Sequence, residues 1–158
     1  MRRFGSWVAA FLILAVLAAC SSGPVRRVSP PTASIQQLTV NADGTWSVDL
    51  RLQNYSSIPM RFDNLQLALQ MGDQAAGTLQ ASPQISIGPE SADVITLPHQ
   101  PSLEARMVVA DALASRRPIN YSLEGSVGAT PEDAKLRSFD IKARNTLNPV
   151  PGLDGVLR

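Results

Sequence analysis

The chain has 158 residues, with 14 Lys and Arg against 13 Asp and Glu, one His and one Cys, for a formal net charge of +1. So balanced a charge argues against nucleic-acid binding and against electrostatic attachment to anionic lipid, both of which need basic patches. A single cysteine excludes an internal disulfide and a thiolate metal cluster, and a single histidine excludes an imidazole pair.

The N-terminus carries the parts of a signal peptide. Arg2 and Arg3 supply the positive region, Trp7 to Val16 the apolar region, and Leu17-Ala18-Ala19-Cys20 ends it. The apolar run from Trp7 to Ala19 falls short of the roughly 20 residues that span about 30 Å of hydrocarbon, so a permanent transmembrane helix is not expected. The tetrapeptide reads as a lipobox: residues 1–19 are removed and Cys20 is acylated with palmitate-type chains through a diacylglyceryl group. The other readings are an ordinary secretory signal cut elsewhere, or a free cysteine in a core helix. Loss of Arg2 and Arg3 leaves 12 basic against 13 acidic residues, a mature net charge near −1.

Residues 20–33 mix Ser, Gly and Pro without apolar period and read as the lipidated cysteine and a flexible linker. Thirteen extended residues at about 3.3 Å each would reach roughly 40 Å. Arg26 and Arg27 within it read as a solvated charge pair, with lipid headgroup contact as the alternative.

From Ser34 the apolar period is two, the mark of half-buried strands. Ile35, Leu38 and Val40 form a first strand, ended by the turn Asn41-Ala42-Asp43-Gly44; Trp46, Val48, Leu50 and Leu52 form a second, ended by Asn54 to Ser57. Leu65, Leu67, Leu69 and Met71 follow and stop at Gly72-Asp73. Short strands are expected at Gly77 to Ala81, through Ile85 and Ile87, and through Val94, Ile95 and Leu97, where Pro98 is expected to end the ladder. Pro101 to Ser115 changes period: Leu103, Met107, Ala110 and Leu113 or Ala114 recur as one face of a helix, with Ser102 as its cap and Arg116 and Arg117 at its negative end. Strands resume with Ile119, Tyr121, Leu123 and Val127, then Leu136, Phe139 and Ile141. About seven strands and one α-helix predict a mainly β, antiparallel two-sheet sandwich over residues 34–144, with 145–158, rich in Pro and Gly, as an irregular tail.

Leu50-Arg51-Leu52-Gln53-Asn54, then Ile58 to Leu69 with Pro59, Phe62, Asn64 and Leu65, then Gly72 and Gly77, form an ordered series. With Ile87 to Ser91 and Ile119 to Gly125, the series resembles the late embryogenesis abundant type 2 family, also called the water stress and hypersensitive response domain, over residues 34–143. One departure is Asn54-Tyr55 where the family commonly has Asn-Pro. The resemblance implies an immunoglobulin-like or fibronectin-like sandwich with a single helix, and a non-enzymatic role in desiccation and other stress. By resemblance to sorted lipoproteins, Ser21 after Cys20 implies the outer membrane, inner leaflet, with the domain facing the periplasm.

No residue pattern calls for catalysis, a cofactor or a metal. His99, between Pro98 and Gln100, reads as a loop histidine; the carboxylates are scattered; no nucleophile elbow or phosphate-binding glycine loop occurs. Asn54 is expected to tie its side chain to turn backbone, and Trp46 to pack in the core. The expected function is a non-catalytic envelope lipoprotein, its partners being the membrane through Cys20 and other envelope proteins. The alternative is a lipid or apolar-ligand binding module, with Leu65, Leu67, Leu69 and Met71 lining an opening between the sheets.

Overall fold

The computed structural model describes residues 25–158; Leu17, Ala18, Ala19 and Cys20 lie outside the described residues. The alternating stretches form β1 (Thr32–Val40), β2 (Trp46–Gln53), β3 (Met60–Met71), β4 (Gln74–Ala81), β5 (Ile85–Ile87) and β6 (Ala92–His99); then come α1 (Leu103–Ala114), β7 (Ile119–Pro131), β8 (Arg137–Leu147) and β9 (Val156–Leu157). One sheet has the order β6-β2-β1-β9, the other β4-β3-β7-β8 with β5 also paired to β3, and every pairing is antiparallel. The mainly β, two-sheet sandwich with one helix is therefore present, with nine strands rather than about seven among the described residues.

The core is where the inward faces meet. Trp46, Val48, Leu50 and Leu52 of β2 and Leu65, Leu67, Leu69 and Met71 of β3 belong to one packed cluster with Leu38, Leu123 and Val127. All four β3 side chains are at most 3% exposed, so they are core filling rather than the wall of an opening between the sheets. Three bulges interrupt the alternation. In β3 the register shifts between Phe62 and Asn64, so Met60 and Phe62 point inward in even positions and Leu65 to Met71 in odd ones. Similar shifts lie between Ile35 and Gln37 of β1 and opposite Ala75 to Gly77 of β4.

Four expectations are corrected. Pro98 does not end the ladder: it pairs with Ser47, and His99 with Trp46. β6 is an edge strand, where a missing N–H can point away from the sheet at no loss. The buried face of α1 is Ala105, Val109 and Ala112, whereas Leu103 and Met107 are exposed. Small side chains let α1 lie close to β4, and the Ser102 hydroxyl, besides capping Ala105 N–H, donates to the Ala75 carbonyl at 2.7 Å. The stretch 145–158 is not an irregular tail: Asn145 to Leu147 complete β8, and β9 returns to pair with Leu38 and Thr39, burying Leu157. The last residues before β1 are not free linker either, since Val28 packs against the core and Pro31 is buried.

Candidate functional site

The end of the sandwich where Gln53, Met60, Ile87 and Pro131 terminate their strands is also where the described chain enters. Asn54, first residue beyond β2, is fully buried. Its amide donates to the carbonyls of Ile58 (2.9 Å), Ile87 (3.1 Å) and Gly88 (2.9 Å), and its carbonyl accepts from Ser56 N–H (2.8 Å). Because β2 and β5 belong to different sheets, one side chain ties the two together. Main-chain bonds extend the tie, from Asn54 N–H to Ser91 O and from Glu90 N–H to Ser56 O.

Across this stitched end runs the segment Val25 to Ser29. The Ser57 hydroxyl donates to the Val25 carbonyl (2.8 Å) and accepts from Arg27 N–H (2.8 Å), and Ser57 N–H donates to the Arg27 carbonyl (3.0 Å). Ser29 N–H donates to the Ser56 hydroxyl at 3.0 Å. Arg26 pairs with Glu132 (3.4 Å) and Asp133 (3.2 Å) of the β7–β8 turn, and Arg27 with Glu90 (3.3 Å). Each ion pair is exposed and weak by itself; with the serine bonds to main chain they make a strap of two layers. Arg26 and Arg27 are therefore a paired element of the fold, not a solvated pair on a linker.

Of the remaining motif positions, Pro59 lies at this end and the others do not. The Pro59 carbonyl accepts from Glu132 N–H at 3.0 Å, joining the strap's two loops. Phe62 and Leu65 are buried in β3, and between them Asp63 accepts from Thr130 Oγ1 (2.6 Å) and pairs with Arg61 (2.7 Å). Asn64 lies over Gly128, where a Cβ would come within 2.7 Å of its Oδ1. Gly72, with φ +58°, turns the chain between β3 and β4 at the far end, and its N–H donates to Asn120 O at 2.7 Å.

Two polar side chains that bridge the sheets have no counterpart among the expected site residues. Tyr121 of β7 is 3% exposed, and its hydroxyl accepts from Ile35 N–H of β1 at 2.9 Å. Burial pushes its phenol pKa up, against the smaller opposing effect of that N–H. His99 sits on β6, buried, and meets the Ala76 carbonyl at 2.7 Å, so Nε2 carries the proton; its ring lies 6.0 Å from Trp46. A buried tyrosine oxygen needs a partner, which is the signal that marks Tyr121 in advance. At the exposed β1–β2 turn, the Thr45 hydroxyl and N–H hold the Asp43 carboxyl below its ordinary range.

Chemically these groups position main chain. The Ser56 and Ser57 hydroxyls face main-chain groups, and His99 lies at the other end of the molecule. Among the described residues, no three His, Cys, Asp or Glu side chains gather where they could hold a metal, and no helix is long and apolar enough to cross a membrane. At the far end a groove of about 590 Å³ runs between Leu113 and Arg116 of the helix terminus and the loop Pro149 to Gly155.

No family model matches the chain, and no curated protein matches it. Solved structures are similar in outline. A candidate late embryogenesis abundant protein shares 13% identity over 93% of this chain and 86% of its own, with a TM-score of 0.49. A candidate ApaA protein from Bordetella pertussis shares 11% over 82% and 100%, with a TM-score of 0.49. An Arabidopsis thaliana protein shares 10% over 86% and 91%, with a TM-score of 0.48.

Proposed function

We propose that the chain is an envelope lipoprotein, anchored through acylated Cys20, whose β-sandwich acts without catalysis in protection against water loss or osmotic stress, through contacts with other envelope components. The observation that carries the anchor is Leu17-Ala18-Ala19-Cys20 at the end of a basic and then apolar N-terminal stretch. Two acyl chains at about 0.8 kcal/mol per buried CH₂ hold far beyond the marginal binding of one. The ordered residues from Leu50 to Gly125 that resemble the late embryogenesis abundant type 2 family support the protective role. Ser21 supports the inner leaflet of an outer membrane as the site of anchoring, with the domain in the periplasm.

Fractionation and survival test the two halves separately. A Cys20→Ser variant should be found uncleaved or in the soluble fraction; one still processed and membrane-bound would refute the anchor. Cells lacking the gene should survive drying or osmotic shock less well than their parent, and superimposable survival curves would remove the protective role.

A further inference from the structure

Both ends of the sandwich show apolar side chains to solvent, and they differ in their distance along the chain from Cys20. Val25 is 81% exposed, Tyr55 50% and Leu136 56%. These three come from separate segments brought to one end: the strap, the β2–β3 loop and the β7–β8 turn. Arg27 donates to the Tyr55 carbonyl, and Arg26 to Glu132 and Asp133 of the turn that also holds Lys135 and Leu136. Two apolar residues, a tyrosine and exposed basic side chains on loops are the composition of a surface that rests among lipid headgroups.

The strap decides how far this surface can move. Five Cα steps separate Cys20 from Val25, and at about 3.4 Å each they reach about 17 Å, well below the roughly 40 Å of a free linker to Ala33. We propose that the chain-entry end, with Val25, Tyr55 and Leu136, lies against the bilayer, and that the Val25–Ser29 strap fixes this orientation so that α1 and its exposed Leu103 and Met107 face away from the membrane. The proposal rests on the anchor at Cys20. It requires no excess positive charge, since Arg26 and Arg27 are paired with Glu90, Glu132 and Asp133, which suits a zwitterionic surface.

The test uses the full mature lipidated chain in phosphatidylcholine vesicles brominated near the headgroup end of the acyl chains. Trp46, buried at the far end, is the only tryptophan of the mature chain and serves as background. In a Leu136→Trp variant the added fluorescence should be quenched about threefold more strongly than in Met107→Trp, as for an aromatic ring at the interface. Ser56→Ala combined with Ser57→Ala should leave sedimentation with vesicles intact while narrowing that difference. Equal quenching at Leu136→Trp and Met107→Trp in protein that sediments with vesicles overturns the orientation and leaves the anchor standing. A difference unchanged by that double substitution overturns the strap's part in it. Protein that fails to sediment with vesicles overturns the anchor and the orientation together.

Discussion

Asn54 commits every hydrogen-bonding atom of its amide to main chain, and it does so where no backbone ladder can reach from one sheet to the other. Asn54→Ala should therefore orphan three carbonyls and one N–H in a buried place and lower stability by roughly 2–4 kcal/mol. The midpoint of urea unfolding reads this directly, and Asn54→Asp should be worse, since it turns a carboxylate toward three carbonyl oxygens. Tyr121→Phe leaves Ile35 N–H unpaired in the core and should cost about 1–3 kcal/mol at neutral pH. The phenol also carries a pH signature. Burial raises its folded pKa above the unfolded value of about 10, so its contribution is whole below that pH and falls as pH rises through the folded value. Unfolding followed between neutral pH and strongly alkaline pH should show that fall in the parent, with Tyr121→Phe less sensitive.

At the scale of elements, α1 has two apolar stripes at helical spacing, and packing chose the smaller side chains. Ala105, Val109 and Ala112 face β4 and the core, leaving Leu103 and Met107 in solvent. Val109→Ala should accordingly lower stability by about 2 kcal/mol, while Met107→Ala should change it by less than about 0.5 kcal/mol, as thermal unfolding of the two would show. The β3–β7 ladder depends on close approach at Gly125, where an added Cβ would overlap the Gln66 carbonyl. Gly125→Ala should force the strands apart and lose roughly 2 kcal/mol or more. At Gly72 nothing stands within 4 Å; Gly72→Ala meets only the left-handed φ, and its loss should be nearer 1 kcal/mol. Both positions have a positive φ, so denaturant midpoints for the pair show what the steric contact at Gly125 adds to it.

For the whole molecule, the strap is an outlying layer that adds Val28 to the edge of a core built by the two sheets. Its main-chain bonds come from two serines and one turn, so Ser56→Ala combined with Ser57→Ala should speed amide exchange at Arg27 and Ser29 by about tenfold or more while β2, β3 and β7 keep their protection. Loss of protection in those strands too would make the strap part of the cooperative core instead.

Strand existence and inward faces were legible because period two in Trp46 to Leu52 and Leu65 to Met71 leaves only one way to bury the leucines. The bulge in β3 is not among the expected features: the alternation from Leu65 to Met71 says nothing of Met60 and Phe62, which extend the strand by pairing with β5 and β7. Other features depend on partners far along the chain. His99 looks like a loop residue until β2 supplies Trp46 beside it; β9 has only two residues and exists because β1 offers an edge. The sequence alone determined the mainly β class and the position of the one helix, since these rest on local period. Only the tertiary structure decided which stripe of α1 is buried, how residues 25–31 and 145–158 close the fold, and which end of the sandwich the strap crosses, because each depends on contacts between segments whose separation no local pattern records.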